Sequence, residues 1–593
     1  SFNGENWYQL GSATINMPSS VYFGMAVSSR NGAMLATAGF RDMENIFSDT
    51  GVYVSMPIEP LGPSSRKTCF AISEIMYNHS NVGGYSNSLE FIELYNSNPW
   101  PEEISGYSIG GSVKYKFGSN VWVNGGGFVV VARNPNLITQ VYGITNIFGP
   151  WNDAVNDGLP GDKGTVRLLS EIGAVYLEVN YNDRGEWPAG ADGTGHSLVL
   201  VRPSYGEDDP RAWGVSDLEG GSPGRGDSYS GGNLRNVVIN EFLANSVEPY
   251  VDYIELYNKG NQPVDISACT LSDDPITNKF VIPAGTTIPG GGLVTFRQND
   301  FGFGLDSGGE TIYLKDSTGQ RILDCIRYEP QMPNRSSGRY PDGAAEIYPL
   351  SVMSPGTNNS NFSIYVDDIV INELMYEPIS FDEDEQYVEL YNNGTNAIDI
   401  SGWKFTSGIS FTFPSNTIIS ANGYLIVAKS VNKLLSRYSG ELDSSIVVGD
   451  FSGSLAGGGE RVALGKPILT YSTNSSGVVK SNTVYAIVDE VTYGVGGRWG
   501  KWANEGGSSL ELRDARANHR LAYNWGDSIE TSKAQWVTVE ATGPMDNGSS
   551  DTANYLEIYL SGEGETLIDN VEVISGGANV VANSTFEGGV SGW

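Results

Sequence analysis

A chain of 593 residues with 69 acidic against 35 basic side chains carries a net charge of −34, which opposes binding to phosphate backbones or anionic membranes. Its 75 glycines, 11% aromatic and only 18% charged residues describe a folded, turn-rich β protein too long for one core, and not a disordered acidic chain. Three cysteines (Cys69, Cys269, Cys325) and three scattered histidines (His79, His196, His519) exclude a disulfide framework and a zinc-type cluster.

The chain opens at Ser1, with no Met and no apolar signal segment, so any targeting segment is expected to have been removed or to lie outside it. No apolar run is long enough to cross a membrane as a helix; the longest, such as Phe128 to Ala132, have strand length. The stretch Trp7 to Phe47 alternates, as in Val21-Tyr22-Phe23-Gly24-Met25-Ala26-Val27.

From residue 67 one pattern recurs three times. The run Ile72-Ser73-Glu74-Ile75-Met76 returns as Ile239-Asn240-Glu241-Phe242-Leu243 and as Ile371-Asn372-Glu373-Leu374-Met375. Each precedes a second strand: Phe91-Ile92-Glu93-Leu94-Tyr95-Asn96, Tyr253-Ile254-Glu255-Leu256-Tyr257-Asn258 and Tyr387-Val388-Glu389-Leu390-Tyr391-Asn392. The segment between the two glutamates varies in length, as a surface loop does. Twelve residues after the second glutamate stands a serine in every copy: Ser105, Ser267 and Ser401. Two positions on, Tyr107, Cys269 or Trp403 reads as one core-facing site. A glycine or Asn-Gly turn then launches a strand at Phe128, Leu293 and Tyr424, and later runs end in Val179-Asn180-Tyr181, Ile326-Arg327-Tyr328 and Val491-Thr492-Tyr493. Short alternating runs between Gly, Asn, Asp and Pro turns predict an all-β sandwich in triplicate. The best helical segment is Val431 to Tyr438.

In these residues the repeats resemble the lamin tail domain, an immunoglobulin-like sandwich, in the form found in bacterial extracellular proteins. The resemblance rests on the Ile-x-Glu opening, the Glu-Leu-Tyr-Asn strand, the turn Ile400-Ser401-Gly402-Trp403, and the closing Ser222-Pro223-Gly224 and Ser354-Pro355-Gly356. The third copy has no Ser-Pro-Gly after Trp525-Gly526, and the second has Ala268-Cys269 in place of Gly-Trp. The segment Trp7 to Phe47 resembles the last strands of a concanavalin-like lectin sandwich. Residues 528–593, with Tyr555 to Leu560 and Leu567 to Val571, resemble part of a jelly roll, and Asn583 to Trp593 resembles the opening of a carbohydrate-binding jelly roll. The expected division is thus 1–66, 67–233, 234–362, 363–527 and 528–593, with a fragment of a longer protein implied at both ends.

The pairs Glu74/Glu93, Glu241/Glu255 and Glu373/Glu389 have the residue types of a general acid/base site. Recurrence in all three copies favours a fold signature, so no catalytic, cofactor or metal residue is assigned. The run Asp382-Glu383-Asp384-Glu385, and the loop Asn156-Asp157-Gly158 with Asp162, offer oxygen ligands suited to calcium, against the default of a solvated loop. Arg225-Gly226-Asp227 matches an adhesion tripeptide but sits in a linker. The sequons at Asn393 and Asn583 would matter only in a eukaryotic secretory route. Trp499, Trp502 and Trp525 would suit either sugar stacking or a core. Cys269 is expected to face a core and Cys325 to face outward, so the two should not bridge.

The expectation is a non-catalytic extracellular or cell-surface array, structural or adhesive, that self-associates in a filament, sheath or surface assembly. It is expected to use neither nucleic acid nor membrane insertion. The alternatives are an accessory glycan-binding region of a secreted polysaccharide-active enzyme and a calcium-dependent surface binding module.

Overall fold

The computed structural model describes residues 58–79, 86–151, 158–228, 232–473, 479–496, 498–504, 506–529, 538–543, 556, 558 and 568–586. The lectin-like stretch Trp7 to Phe47, Asn156 and Asp157, and most of the jelly-roll stretch lie outside them. The regular structure of the described chain is mainly strand, with short helices, and each repeat builds its own core between two sheets.

In the first module the strands are β1 (Phe70–Met76), β2 (Phe91–Asn96), β3 (Ser108–Gly111), β4 (Tyr115–Lys116) and β5 (Phe128–Ala132). After helix α1 (Pro135–Tyr142) come β6 (Ile147–Phe148), β7 (Lys163–Leu169), β8 (Val175–Asn182), β9 (Leu198–Leu200) and β10 (Trp213–Val215). One sheet has the order β10-β9-β1-β2-β5-β6 and faces a second, β8-β7-β3-β4. Ile72, Ile92, Leu94, Val166, Leu168 and Val179 meet between them.

The second module repeats the plan with β11 (Val237–Leu243), β12 (Tyr253–Asn258), β13 (Thr270–Ser272), β14 (Phe280–Val281), β15 (Leu293–Arg297), α2 (Gln298–Phe301), β16 (Thr311–Lys315), β17 (Ile322–Arg327), β18 (Ser337–Arg339) and β19 (Ile347–Pro349). Its sheets run β15-β12-β11-β18-β19 and β14-β13-β16-β17.

The third has β20 (Ile369–Met375), β21 (Tyr387–Asn392), β22 (Lys404–Ser407), β23 (Tyr424–Ala428), α3 (Val431–Arg437), β24 (Val447–Val448), β25 (Gly459–Thr473), β26 (Val479–Gly494), β27 (Leu510–Leu512) and β28 (Trp525–Asp527). Its sheets run β24-β23-β21-β20-β27-β28 and β22-β25-β26. By proximity the chain falls into two compact units, residues 15–365 with 468–486, and residues 366–467 and 487–593 with the first 14.

Helix α3 lies where the sequence places it. Helix α1 carries apolar residues at helical spacing, Leu137, Ile138, Val141 and Tyr142, and its start is marked by Asn134-Pro135. The Asn134 side chain accepts the Leu137 N–H at 3.2 Å, proline occupies the first turn, and Gly143 closes the helix at φ 69°. The aligned turn before β5, β15 and β23 has a left-handed residue each time: Gly126 (φ 66°), Gly291 (φ 66°) and Asn422 (φ 53°). Glycine is required one position earlier in the first two copies. A Cβ on Gly125 would stand 2.2 Å from the Pro99 carbonyl carbon, and one on Gly290 2.4 Å from that of Asn261.

The site expected to face the core does so in two copies: Cys269 and Trp403 are buried. Tyr107 is a partial correction, being only half-buried and edging against Phe70 and Tyr176 at the rim. All three cysteines are free thiols. Cys325 points away from the core of its own module, opposite Tyr313, yet it is only partly open, because the 3-10 turn Ala189–Ala191 of the first module packs against β17.

Candidate functional site

The recurrent glutamates meet because of a backbone irregularity. In each module the first strand bulges between the isoleucine and the glutamate, so Glu74, Glu241 and Glu373 come to stand opposite Glu93, Glu255 and Glu389 on the neighbouring strand. Like charges directly opposed on a sheet repel, so such a pair persists only if donors surround it.

In the first module the donors come from the closing turn. Ser222 gives its N–H (2.9 Å) and Oγ (3.0 Å) to Glu74, and Gly224 N–H reaches Glu93 at 2.6 Å. Ser197 Oγ also donates to Glu74, and the bulged Ser73 donates to Glu93 at 2.7 Å. The second module repeats the clasp: Ser354 N–H and Oγ reach Glu241, each at 2.9 Å, and Gly356 N–H reaches Glu255. Tyr253 OH (2.6 Å) and Thr295 Oγ1 (2.6 Å) complete the set. The Ser-Pro-Gly turns are therefore fasteners, holding the ends of the first and second modules onto their first two strands.

Burial pushes these carboxylates up: Glu74 to about 7 and Glu255 to about 7, in both cases against the pull of their hydrogen-bond donors. Glu93 is raised by burial and then by the neighbouring Glu74. A carboxyl whose folded value exceeds its unfolded value keeps its proton longer in the native state. Its stabilising contribution is complete below the unfolded value and is lost as pH rises through about 7. The melting temperature should therefore fall as pH is raised from about 5 to 8, and Glu74→Gln with Glu255→Gln should flatten that slope in differential scanning calorimetry. An unchanged slope would refute the assignment. A small cleft of about 100 Å³ borders the first pair, lined by Phe128, Leu200, Ser222 and Arg225 among others.

A second recurrent polar group closes the three Glu-Leu-Tyr-Asn strands. Asn96, Asn258 and Asn392 are fully buried at the ends of β2, β12 and β21. Each Nδ2 bridges backbone carbonyls of a neighbouring turn, such as Gln262, Ile288 and Pro289 for Asn258, at 2.7 to 3.1 Å. Each Oδ1 accepts an N–H two residues on, from Asn98, Gly260 and Gly394. A polar residue closing three apolar strands at one register is the signal that could have found it. The serines of the shared spacing act alike: Ser105, Ser267 and Ser401 each accept a backbone N–H from the facing segment.

The acidic run of the third module's variable loop is engaged in ion pairs and a cap. Glu383 pairs with Lys429 at 2.6 Å and Asp382 with Lys433 at 2.8 Å, while Asp382 also caps a 3-10 turn. Among the described residues no group of three or more His, Cys, Asp or Glu is placed to hold a metal ion. Asp227 of the adhesion-like tripeptide accepts the Asp217 N–H at 2.7 Å. The three tryptophans form no shared platform, since Trp525 is fully buried and donates its Nε1–H to the His519 carbonyl at 2.8 Å. Exposed indoles occur elsewhere, at Trp100 (58%) and Trp122 (54%), on segments that the Asn96 amide ties together through the Trp100 and Val123 carbonyls.

The first and second modules also share a built joint within one compact unit. Asp217, 1% exposed at its side chain, takes Arg235 at 2.6 Å and Arg321 at 3.3 Å. Arg327 reaches Asp192 at 2.6 Å and Asp183 at 3.4 Å, and Glu219 N–H bonds the Gln320 carbonyl at 3.0 Å.

A family model described as Lamin Tail Domain matches residues 63–183, 232–329 and 365–527. Among solved structures, a DUF4876 family protein from Bacteroides thetaiotaomicron VPI-5482 is similar at 11% identity, over 51% of this chain and 98% of its own, with a TM-score of 0.19. No curated protein matches.

Proposed function

The chain belongs to the lamin tail domain family, a non-catalytic immunoglobulin-like family, and from that premise we propose that it is a structural or adhesive array of an extracellular or cell-surface assembly. The observation that carries this reading is the joint between the first two modules. Asp217, Arg235, Arg321 and Arg327 lock consecutive sandwiches where a flexible tether would serve a mobile binding module equally well. The glutamate pairs of the first two modules support it too, because their oxygens hold closing turns in place. The bacterial extracellular type, with lectin-like and jelly-roll-like pieces at the ends, belongs to the same proposal.

The experiment is light scattering combined with particle imaging across protein concentration. Ordered oligomers or filaments are expected; a monodisperse monomer at all concentrations would overturn the assembly reading. A second reading, an accessory glycan-binding region, is favoured by one observation. Trp100 and Trp122 expose more than half of their surface, the amphipathic faces on which sugar rings stack. In a glycan-binding screen it calls for saturable binding that Trp100→Ala with Trp122→Ala abolishes; no binding to any glycan would end it.

A further inference from the structure

The three glutamate pairs differ in one respect. In the first two modules each pair receives the hydroxyl and two N–H groups of a Ser-Pro-Gly turn, and Glu74, Glu93, Glu241 and Glu255 are at most 1% exposed. In the third, the bulge, the opposition of Glu373 to Glu389 and the tyrosine donor are all retained. Tyr387 OH donates to Glu373 as Tyr253 does to Glu241, and Asn372 Nδ2 donates to Glu389 at 2.9 Å. Both glutamates are only half-buried, and among the described residues no closing turn reaches them. Tyr424, in the place of Phe128, is 45% exposed beside them.

The downstream run Thr542-Gly543-Pro544 keeps a hydroxyl five positions before Asn547, as Ser222 precedes Asp227 and Ser354 precedes Asn359. Its proline, however, stands where Gly224 and Gly356 supply the N–H to the second glutamate, and proline has none. Residues 541–543 are exposed, with nothing within 4 Å of where a Gly543 Cβ would be.

We propose that the Glu373–Glu389 face of the third module binds a Ser-Pro-Gly turn carried by a second polypeptide. The occupant follows from the sibling sites: a hydroxyl and its N–H on Glu373, and a glycine N–H on Glu389. These are charge-assisted hydrogen bonds, stronger than neutral ones, so a short turn is enough for recognition. The contact would extend the assembly reading of the protein without depending on it, since a monomer would bind the same turn.

The test is calorimetric titration of the intact chain with a synthetic peptide of the sequence of residues 350–361, Leu-Ser-Val-Met-Ser-Pro-Gly-Thr-Asn-Asn-Ser-Asn. One saturable site per chain is expected, weakened at least about tenfold by Glu373→Gln or Glu389→Gln, and equally by alanine in place of the peptide serine before proline. Absence of binding, or binding indifferent to those substitutions, would overturn the proposal. Binding that emerges only in a Thr542→Ala variant would overturn it as well, since the chain's own segment would then be the occupant. Filament formation is read separately by imaging, so failure of either proposal leaves the other distinguishable.

Discussion

Replacing Glu241 with alanine should destabilise the second module by about 3–9 kcal/mol, from three buried donors left without an acceptor at about 1–3 kcal/mol each. Those donors are the Ser354 N–H and Oγ and the Tyr253 hydroxyl, around a glutamate with no exposed surface. The matching Glu373→Ala in the third module removes only the Tyr387 contact among the described residues, and should cost about 1 kcal/mol. Urea unfolding of both variants reads the contrast directly. Equal losses would mean that the closing turn contributes nothing beyond the strands themselves.

The second large effect is expected at the joint. Asp217→Ala removes a buried carboxylate from between Arg235 and Arg321, and also takes an acceptor from Ser228. Breaking a buried pair by removing one partner typically costs about 3–5 kcal/mol; because both arginines retain roughly a quarter of their surface, about 3 kcal/mol is expected here. The signature should be loss of cooperativity. Calorimetry of the parent chain should give one transition for the first two modules, and the variant should give two. A single transition shifted as a whole would assign Asp217 to the stability of the first module alone.

Much of the fold was legible because its signals are local and threefold. Strand alternation, glycine turns and the Glu-Leu-Tyr-Asn register each repeat, and repetition separates pattern from accident. Helix α3 was legible from its spacing, whereas the apolar face of α1 spans only two turns and is marked off by a cap and a proline. The glutamates were legible as a signature but not as a clasp. Their partners, Ser222 and Ser354, lie 148 and 113 residues further on, and no local rule connects positions so far apart. Cys325 illustrates a different limit: its direction on the strand follows from alternation, but the neighbouring module that half-covers it belongs to tertiary packing. Trp525 was equally open to core and surface uses, because an indole suits both and only the surrounding strands decide.

That 148-residue separation has a consequence for how the chain is made. A ribosome delivers β1 and β2 first and the Ser-Pro-Gly turn last, so the opposed carboxylates must wait for their donors while most of the module is synthesised. Until the turn emerges, two acidic groups face each other in a half-built sheet, and charge repulsion discourages premature compaction around them. Closure is thus a proof of completeness. A first or second module truncated before its final turn keeps uncompensated carboxylates near its centre, which would mark the product of an interrupted translation for proteolysis and leave the finished one protected.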